Sequence, residues 1–191
     1  MRCPHCGQNG TFEAIPNIAD LKVPQHWLGL RKCPNPTCDG QLFIIANDAF
    51  VIEKSYPALR IDFDAAGIPE RIKKTLSEAI TCHAEACYAA GAIMVRRCLE
   101  ELCEDRKAAG GDLKARIAAL RAKVVLPNEL FDAMDELRIL GNDAAHVEAK
   151  VYDDIGEPQV GIALELTKEI LKATYQLDTL VKKIQALKAK P

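Results

Sequence analysis

Two pairs of cysteines constrain the first third of this chain more tightly than any other feature. Cys3-Pro4-His5-Cys6-Gly7 and Cys33-Pro34-Asn35-Pro36-Thr37-Cys38-Asp39-Gly40 each hold two thiols across a tight turn. Glycine tolerates the positive φ that such turns need. Two such knuckles supply four sulfurs, which is the closed tetrahedral shell of a structural zinc ion with no position left for water. The predicted ligands are Cys3, Cys6, Cys33 and Cys38. The other reading of the same residues is four reduced thiols in a loop-rich lobe, but so little apolar material needs a metal to hold it together. Residues 11–15, 27–32, 41–46 and 50–54 read as short strands, so residues 1–56 are expected to form a zinc-ribbon lobe. With four cysteines at hand, His5 is read as a bystander, and His26 as a loop residue. Phe12, Trp27 and Phe43 are read as filling the small core, with stacking on nucleic-acid bases as the other use for them.

Pro57 and Pro69 bracket residues 57–68, which show no sustained periodicity, the pattern of a linker. Residues 69–191 then follow a period of 3.6. Five helices are predicted. The first spans about 69–85 with Pro69 in its first turn. The second spans about 87–107 and the third about 113–124. The fourth spans about 128–148 with Asn128 as N-cap, and the fifth runs from the turn at Gly156 to about 189. On the fifth, Ala163, Leu166, Ile170, Ala173, Leu177, Leu180, Ile184 and Leu187 recur in steps of three and four. Such a heptad stripe describes either packing along a bundle or a homodimer seam. Cys82, Cys87, Cys98 and Cys103 lack knuckle spacing and read as buried thiols, with Cys87 and Cys98 on one core face.

A chain of 191 residues has room for one domain and a small appendage. A net charge of −2 argues against a broad basic surface for non-specific nucleic-acid binding, though not against a local patch. No leader and no apolar run of about 18 residues is evident, so no membrane span is expected. Eight cysteines without a leader point to a reducing compartment, and the cytoplasm is the expected location.

The densest chemistry lies in Glu136-Leu137-Arg138-Ile139-Leu140-Gly141-Asn142-Asp143-Ala144-Ala145-His146. On a straight helix with Leu137 at zero, Leu130, Met134, Gly141 and Ala144 fall within about 60° and define a core stripe, whereas Arg138, Asn142 and His146 fall at about 100°, 140° and 180°. The three polar residues therefore share a flank that faces solvent or a partner. Arg offers a fixed fork for a phosphate, His moves a proton near neutral pH, and Asn orients the imidazole or donates to an oxyanion. Such a set suits metal-independent RNA cleavage by attack of the 2′-hydroxyl. The bland alternative is that Asp135, Glu136 or Asp143 satisfies Arg138 while His146 caps the helix. In the second helix, Arg97 either pairs with Glu100 or Glu101 or reaches the fourth helix and adds positive charge there.

Arg96-Arg97-Cys98-Leu99-Glu100-Glu101-Leu102-Cys103 and the stretch from Leu137 to His146 resemble the two signature stretches of the domain-of-unknown-function family 4145. The zinc-ribbon lobe is similar to what precedes that domain in some members, and the resemblance covers most of the chain. Members often occur in bacteria, alone or attached to defence proteins. The family has been grouped with the HEPN superfamily, in which helical bundles dimerise and place an Arg and a His at a shared cleft that cleaves RNA without metal. The resemblance implies that Arg138 stabilises the phosphate, Asn142 accompanies it and His146 transfers the proton. Seven residues separate Arg138 from His146, a longer spacing than is usual there. Either Asn142 and His146 form the working pair with Arg138 as support, or the site binds without cleaving.

The expectation is a mainly α chain, a five-helix HEPN-like bundle preceded by a small β zinc-ribbon lobe, forming a homodimer. Its expected function is RNA or nucleotide-phosphate binding, extending to endoribonuclease activity in bacterial defence or stress. The alternative is a non-catalytic dimeric interaction module whose ribbon docks a protein or nucleic acid.

Overall fold

A computed structural model describes residues 3–58, 63–146 and 154–188, without the side chains of Asp178 and Lys188. The chain divides into two compact units, residues 1–62 and 63–191. Among the described residues the first is a small antiparallel sheet and the second is helical, so the chain is mainly α.

In the first unit, β1 (Glu13–Ala14) and β2 (Leu21–Val23) both pair with β3 (His26–Lys32), which pairs with β4 (Gln41–Asn47), and β4 with β5 (Ile52–Tyr56). Alternation on β4 turns Leu42, Ile44 and Ala46 inward, as the period of two requires. Leu42 and Ile44 close over Cys3, Cys33 and Phe12, so two of the four sulfur residues belong to the lobe's own core. β2 was not predicted, and His26 begins β3 rather than lying in a loop, with Nε2 3.0 Å from Glu53 Oε2. Phe12 is buried as expected. Trp27 instead stacks on the exposed Phe50 at 5.4 Å, and Phe43 lies against Tyr56.

The second unit is built around α2 (Tyr88–Asp105), which packs against α1 (Glu70–Ala84), α3 (Leu113–Leu120), α4 (Asn128–Asp143) and α5 (Glu157–Tyr175). Two glycines set the spacing of its neighbours. A Cβ on Gly91 would lie 3.0 Å from Val160 Cγ1 of α5, and one on Gly141 would lie 2.4 Å from Arg96 Cβ and 2.9 Å from the Ala92 carbonyl oxygen. α4 therefore approaches α2 to backbone distance at Gly141.

The helices depart from expectation in three ways. Six helices, not five, occur among the described residues, because the long fifth one divides into α5 and α6 (Leu177–Lys188) at Gln176. The Gln176 side chain donates from Nε2 to the carbonyl oxygens of Asp64 (2.7 Å) and Ala66 (3.0 Å), which ties that turn to the segment preceding α1. α4 ends at Asp143, five residues short of the expected limit, and residues 147 and 148 lie outside the described ones, as does the expected end at 189. Asn128 does not cap α4: Pro127 holds that position, and Asn128 Oδ1 accepts from Arg121 Nη1 at 2.8 Å.

Candidate functional site

The sulfurs of Cys3, Cys6, Cys33 and Cys38 all lie within 4.8 Å of one another. Around a tetrahedral ion with metal–sulfur bonds of about 2.3 Å, sulfurs sit about 3.8 Å apart. Cys3 and Cys38 are separated by 3.9 Å and Cys6 and Cys33 by 3.7 Å, so the donor set fits such an ion. Each knuckle closes on itself: Gly7 N–H donates to the Cys3 carbonyl at 2.9 Å, and Cys38 N–H to the Asn35 carbonyl at 3.0 Å. Gly7 has the positive φ that its turn needs. Gly40 serves a different purpose, because a Cβ there would lie 2.6 Å from the His5 ring and 3.1 Å from Cys38 Sγ. The His5 Nε2 is 3.1 Å from the Gln41 carbonyl oxygen, which leaves His5 beside the site and not in it.

One contributor was missed in the sequence. Asn35 donates its backbone N–H to Cys33 Sγ at 3.4 Å and its side-chain amide to Cys6 Sγ at 3.7 Å, while its Oδ1 accepts from Thr37. It thus orients both knuckles at once, as outer partners of metal ligands commonly do. Backbone hydrogen bonding from Gln8 is the main cause holding the Cys6 thiol down to about 6, with smaller help from Cys38 and Asn35. The signal was present as an Asx-type residue flanked by two prolines inside a knuckle.

On α4 the core stripe is Phe131, Met134, Leu137 and Gly141, continued by Ala144 just past the helix end; Phe131 is buried where Leu130 was expected. Arg138 lies on the flank and is half-buried, and its Nε donates to Asp135 Oδ1 at 2.8 Å. Asn142 is exposed one turn on. His146 is exposed too but stands beyond the helix, its backbone N–H reaching the Asp143 carbonyl at 3.2 Å. No hydrogen-bond partner of the Asn142 or His146 side chain is found among the described residues. Arg138 and Asn142 thus share one helical flank, and His146 follows it in the succeeding turn.

The second signature stretch meets the first through Arg96, not Arg97. Arg96 Nε pairs with Glu100 Oε1 at 3.1 Å, and its Nη1 donates to the Arg138 carbonyl at 3.3 Å. Arg97 turns the other way and pairs with Glu101 at 3.2 Å. Glu101 is buried and also accepts from Thr75 Oγ1 at 2.8 Å and Arg71 Nε at 3.2 Å, bringing in two α1 residues that sequence reasoning had not singled out. Only long-range packing of α1 on α2 joins them.

Among the remaining cysteines, Cys98 and Cys103 are buried, Cys82 is half-buried and Cys87 is exposed at the start of α2. The shared core face expected for Cys87 fails because α2 begins one residue after it.

The family model described as domain of unknown function (DUF4145) matches residues 77–188, a span that contains both signature stretches and none of the ribbon lobe. No curated protein and no solved structure matches the chain.

Proposed function

The chain belongs to the DUF4145 family, and we propose that it is a HEPN-like protein that recognises RNA or a nucleotide phosphate on the α4 flank. The ribbon lobe carries one structural zinc ion on Cys3, Cys6, Cys33 and Cys38, a reading supported by the sulfur spacing. The observation that carries the functional reading is the state of the flank. Asp135 fixes the Nε edge of Arg138, and the side chains of Asn142 and His146 stand exposed with no partner among the described residues. A guanidinium held from one edge is preorganised to receive a phosphate on its fork. His146, exposed in the turn that follows, has the reach to exchange a proton with a ribose hydroxyl.

The chain acts as a homodimer in this reading, supported by the apolar stripe of α6, where Leu177, Leu180, Ile184 and Leu187 are exposed. A second reading, a non-catalytic module docking through its ribbon, is favoured by the exposed Leu21, Phe50, Val51 and Tyr56 of that lobe. Incubating single-stranded RNA with zinc-loaded protein in EDTA, with zinc content checked afterwards, separates the two. Cleavage by the wild type that falls at least a hundredfold in His146→Ala, as loss of a general acid–base group commonly does, supports metal-free catalysis. RNA bound but uncleaved, with weaker binding in Arg138→Gln, supports recognition alone. Neither binding nor cleavage leaves the docking module.

A further inference from the structure

We propose that the groove bounded by α1, α2 and α3 is a second phosphate site, one that takes the phosphate ester of a nucleotide or of a nucleic-acid strand on Arg71, Arg97 and Arg116. The groove has a volume of about 460 Å³ and is lined in part by those three residues, Glu101, Ile93 and Met94. It uses none of Arg138, Asn142 or His146, and so stands independently of the α4 reading.

What distinguishes this groove is which partner of each ion pair is hidden. In an ordinary surface pair both groups are solvated and the pair presents no net sign. Here the Glu101 side chain is 3% exposed, while those of Arg71 and Arg97 are 62% and 54% exposed. The acid is the floor and the guanidiniums are the rim. Glu101 receives the Nε of both arginines and is locked by Thr75 from below. Holding the Nε edges inward directs the Nη donors outward. Arg97 spends none of its Nη donors on another residue among those described, and Arg71 gives one Nη to the exposed Glu104 at 3.1 Å.

Arg116 crosses from α3 with Nη2 donating to the Glu100 carbonyl at 3.0 Å, so a third guanidinium is pinned by one end to the same wall. With Arg96 included, four arginines face Glu100, Glu101 and Glu104. A surplus positive charge, two forks fixed from behind and bidentate geometry are what recognition of a phosphate asks for. Ile93 and Met94 are half-buried and precede Arg97 by one helical turn, giving the sugar or base of such a ligand an apolar lip beside the forks. An acid held as the floor also leaves the guanidiniums uncovered, since Glu101 cannot swing out over the arginines without giving up Thr75.

The test is a fluorescence-anisotropy titration of the full zinc-loaded chain with a 5′-labelled single-stranded RNA, repeated with AMP and with inorganic phosphate as competitors. Arg71→Gln and Arg97→Gln are each expected to weaken binding about tenfold and to lower the slope of log affinity against log salt by about one. Displacement of the labelled RNA by AMP at comparable concentration identifies a nucleotide site, and RNA binding that neither AMP nor inorganic phosphate displaces identifies a strand site. Both variants binding as the wild type, at unchanged thermal midpoints, overturns the proposal. So does a wild type that binds none of the three probes.

Phenylglyoxal modification of the wild type read by mass spectrometry needs no variant. Ligand must slow the modification of Arg71 and Arg97 at least threefold while leaving Arg121 on α3's far end unchanged, and equal rates at all three overturn the site. Loss of binding in Arg138→Gln with none in Arg97→Gln keeps the α4 reading and removes this one. The reverse pattern does the opposite.

Discussion

At the residue scale, the eight cysteines sort by surroundings into two chemistries. Four lie together in the ribbon with donors aimed at their sulfurs, and four sit on or beside α1 and α2 at graded depths. Burial pushes the Cys98 thiol up and the Cys103 thiol up to about 11. These thiols keep their protons in the folded chain while an unfolded chain ionises near its ordinary value of about 8.5. Their contribution to stability is therefore whole below about pH 8.5 and is lost as the pH climbs towards 11. Urea unfolding of the helical signal should show a midpoint that holds from pH 7 to 8.5 and falls by pH 10.5. Iodoacetamide at pH 8 should label Cys87 within minutes and leave Cys98 and Cys103 untouched until urea is added. Spacing alone identified the ribbon cysteines, because a knuckle is a local device. The depth of Cys87 was not legible, since it hangs on a helix boundary that shifts by one residue.

At the scale of elements, the contact of α4 with α2 is decided by Gly141. Gly141→Ala gains about 1 kcal/mol of helix propensity but must push Arg96 or the α2 backbone aside, and overpacking of that kind costs about 1–3 kcal/mol. A net loss of up to about 2 kcal/mol is expected in urea unfolding, and a raised stability would show that α4 can back away from α2. The strand positions of β3 and β4 and the cores of α1 to α3 were legible, since period and turn residues agree there. β2 escaped because three residues, Leu21-Lys22-Val23, are too few to show a period. The break at Gln176 escaped because neither Gly nor Pro marks it; a side chain reaching back to Asp64 and Ala66 does.

The heptad stripe was legible as a pattern and ambiguous as to use. The structure buries its Ala163 and Ile170 and leaves Leu177, Leu180, Ile184 and Leu187 exposed. A 12-residue helix with its apolar stripe exposed is marginal in water by itself. If a second copy covers it, Leu180→Asp with Ile184→Asp should convert a dimer to a monomer in analytical ultracentrifugation and leave α1 to α5 folded. A wild type that sediments as a monomer at tens of micromolar would place the exposed stripe outside any dimer seam.

At the scale of the whole molecule, two units divide the labour of folding differently. The helical unit has a core of large buried side chains from α1 to α5, among them Leu76, Leu99, Met134, Leu164 and Leu171. Among the described residues of the sheet unit, one cluster of five buried side chains forms the core, and two of the five are cysteines. The sheet unit is therefore expected to depend on its metal, as small lobes of this kind do. Stripping zinc with a thiol-competing chelator should release about one equivalent per chain, abolish protection of Leu42 and Ile44 amides from hydrogen exchange, and leave the α-helical circular dichroism within a few per cent. Less than one equivalent in undamaged protein, or collapse of the helical signal together with the ribbon, would contradict this division. The overall organisation was legible because a change of period from two to 3.6 crosses a proline-bearing linker. The joining of Arg71 and Thr75 to Glu101 was not, because it depends on the packing of two helices and no local rule sets it.

The central claim is that the α4 flank receives a phosphate on Arg138. The most direct measurement is the affinity of zinc-loaded protein for a labelled single-stranded RNA across 50–200 mM salt, wild type beside Arg138→Gln. The expected result is salt-dependent binding by the wild type that weakens about tenfold in the variant at unchanged thermal stability, with a salt slope lower by about one. Equal affinity and equal slope in the two proteins, or no binding by either, would contradict it.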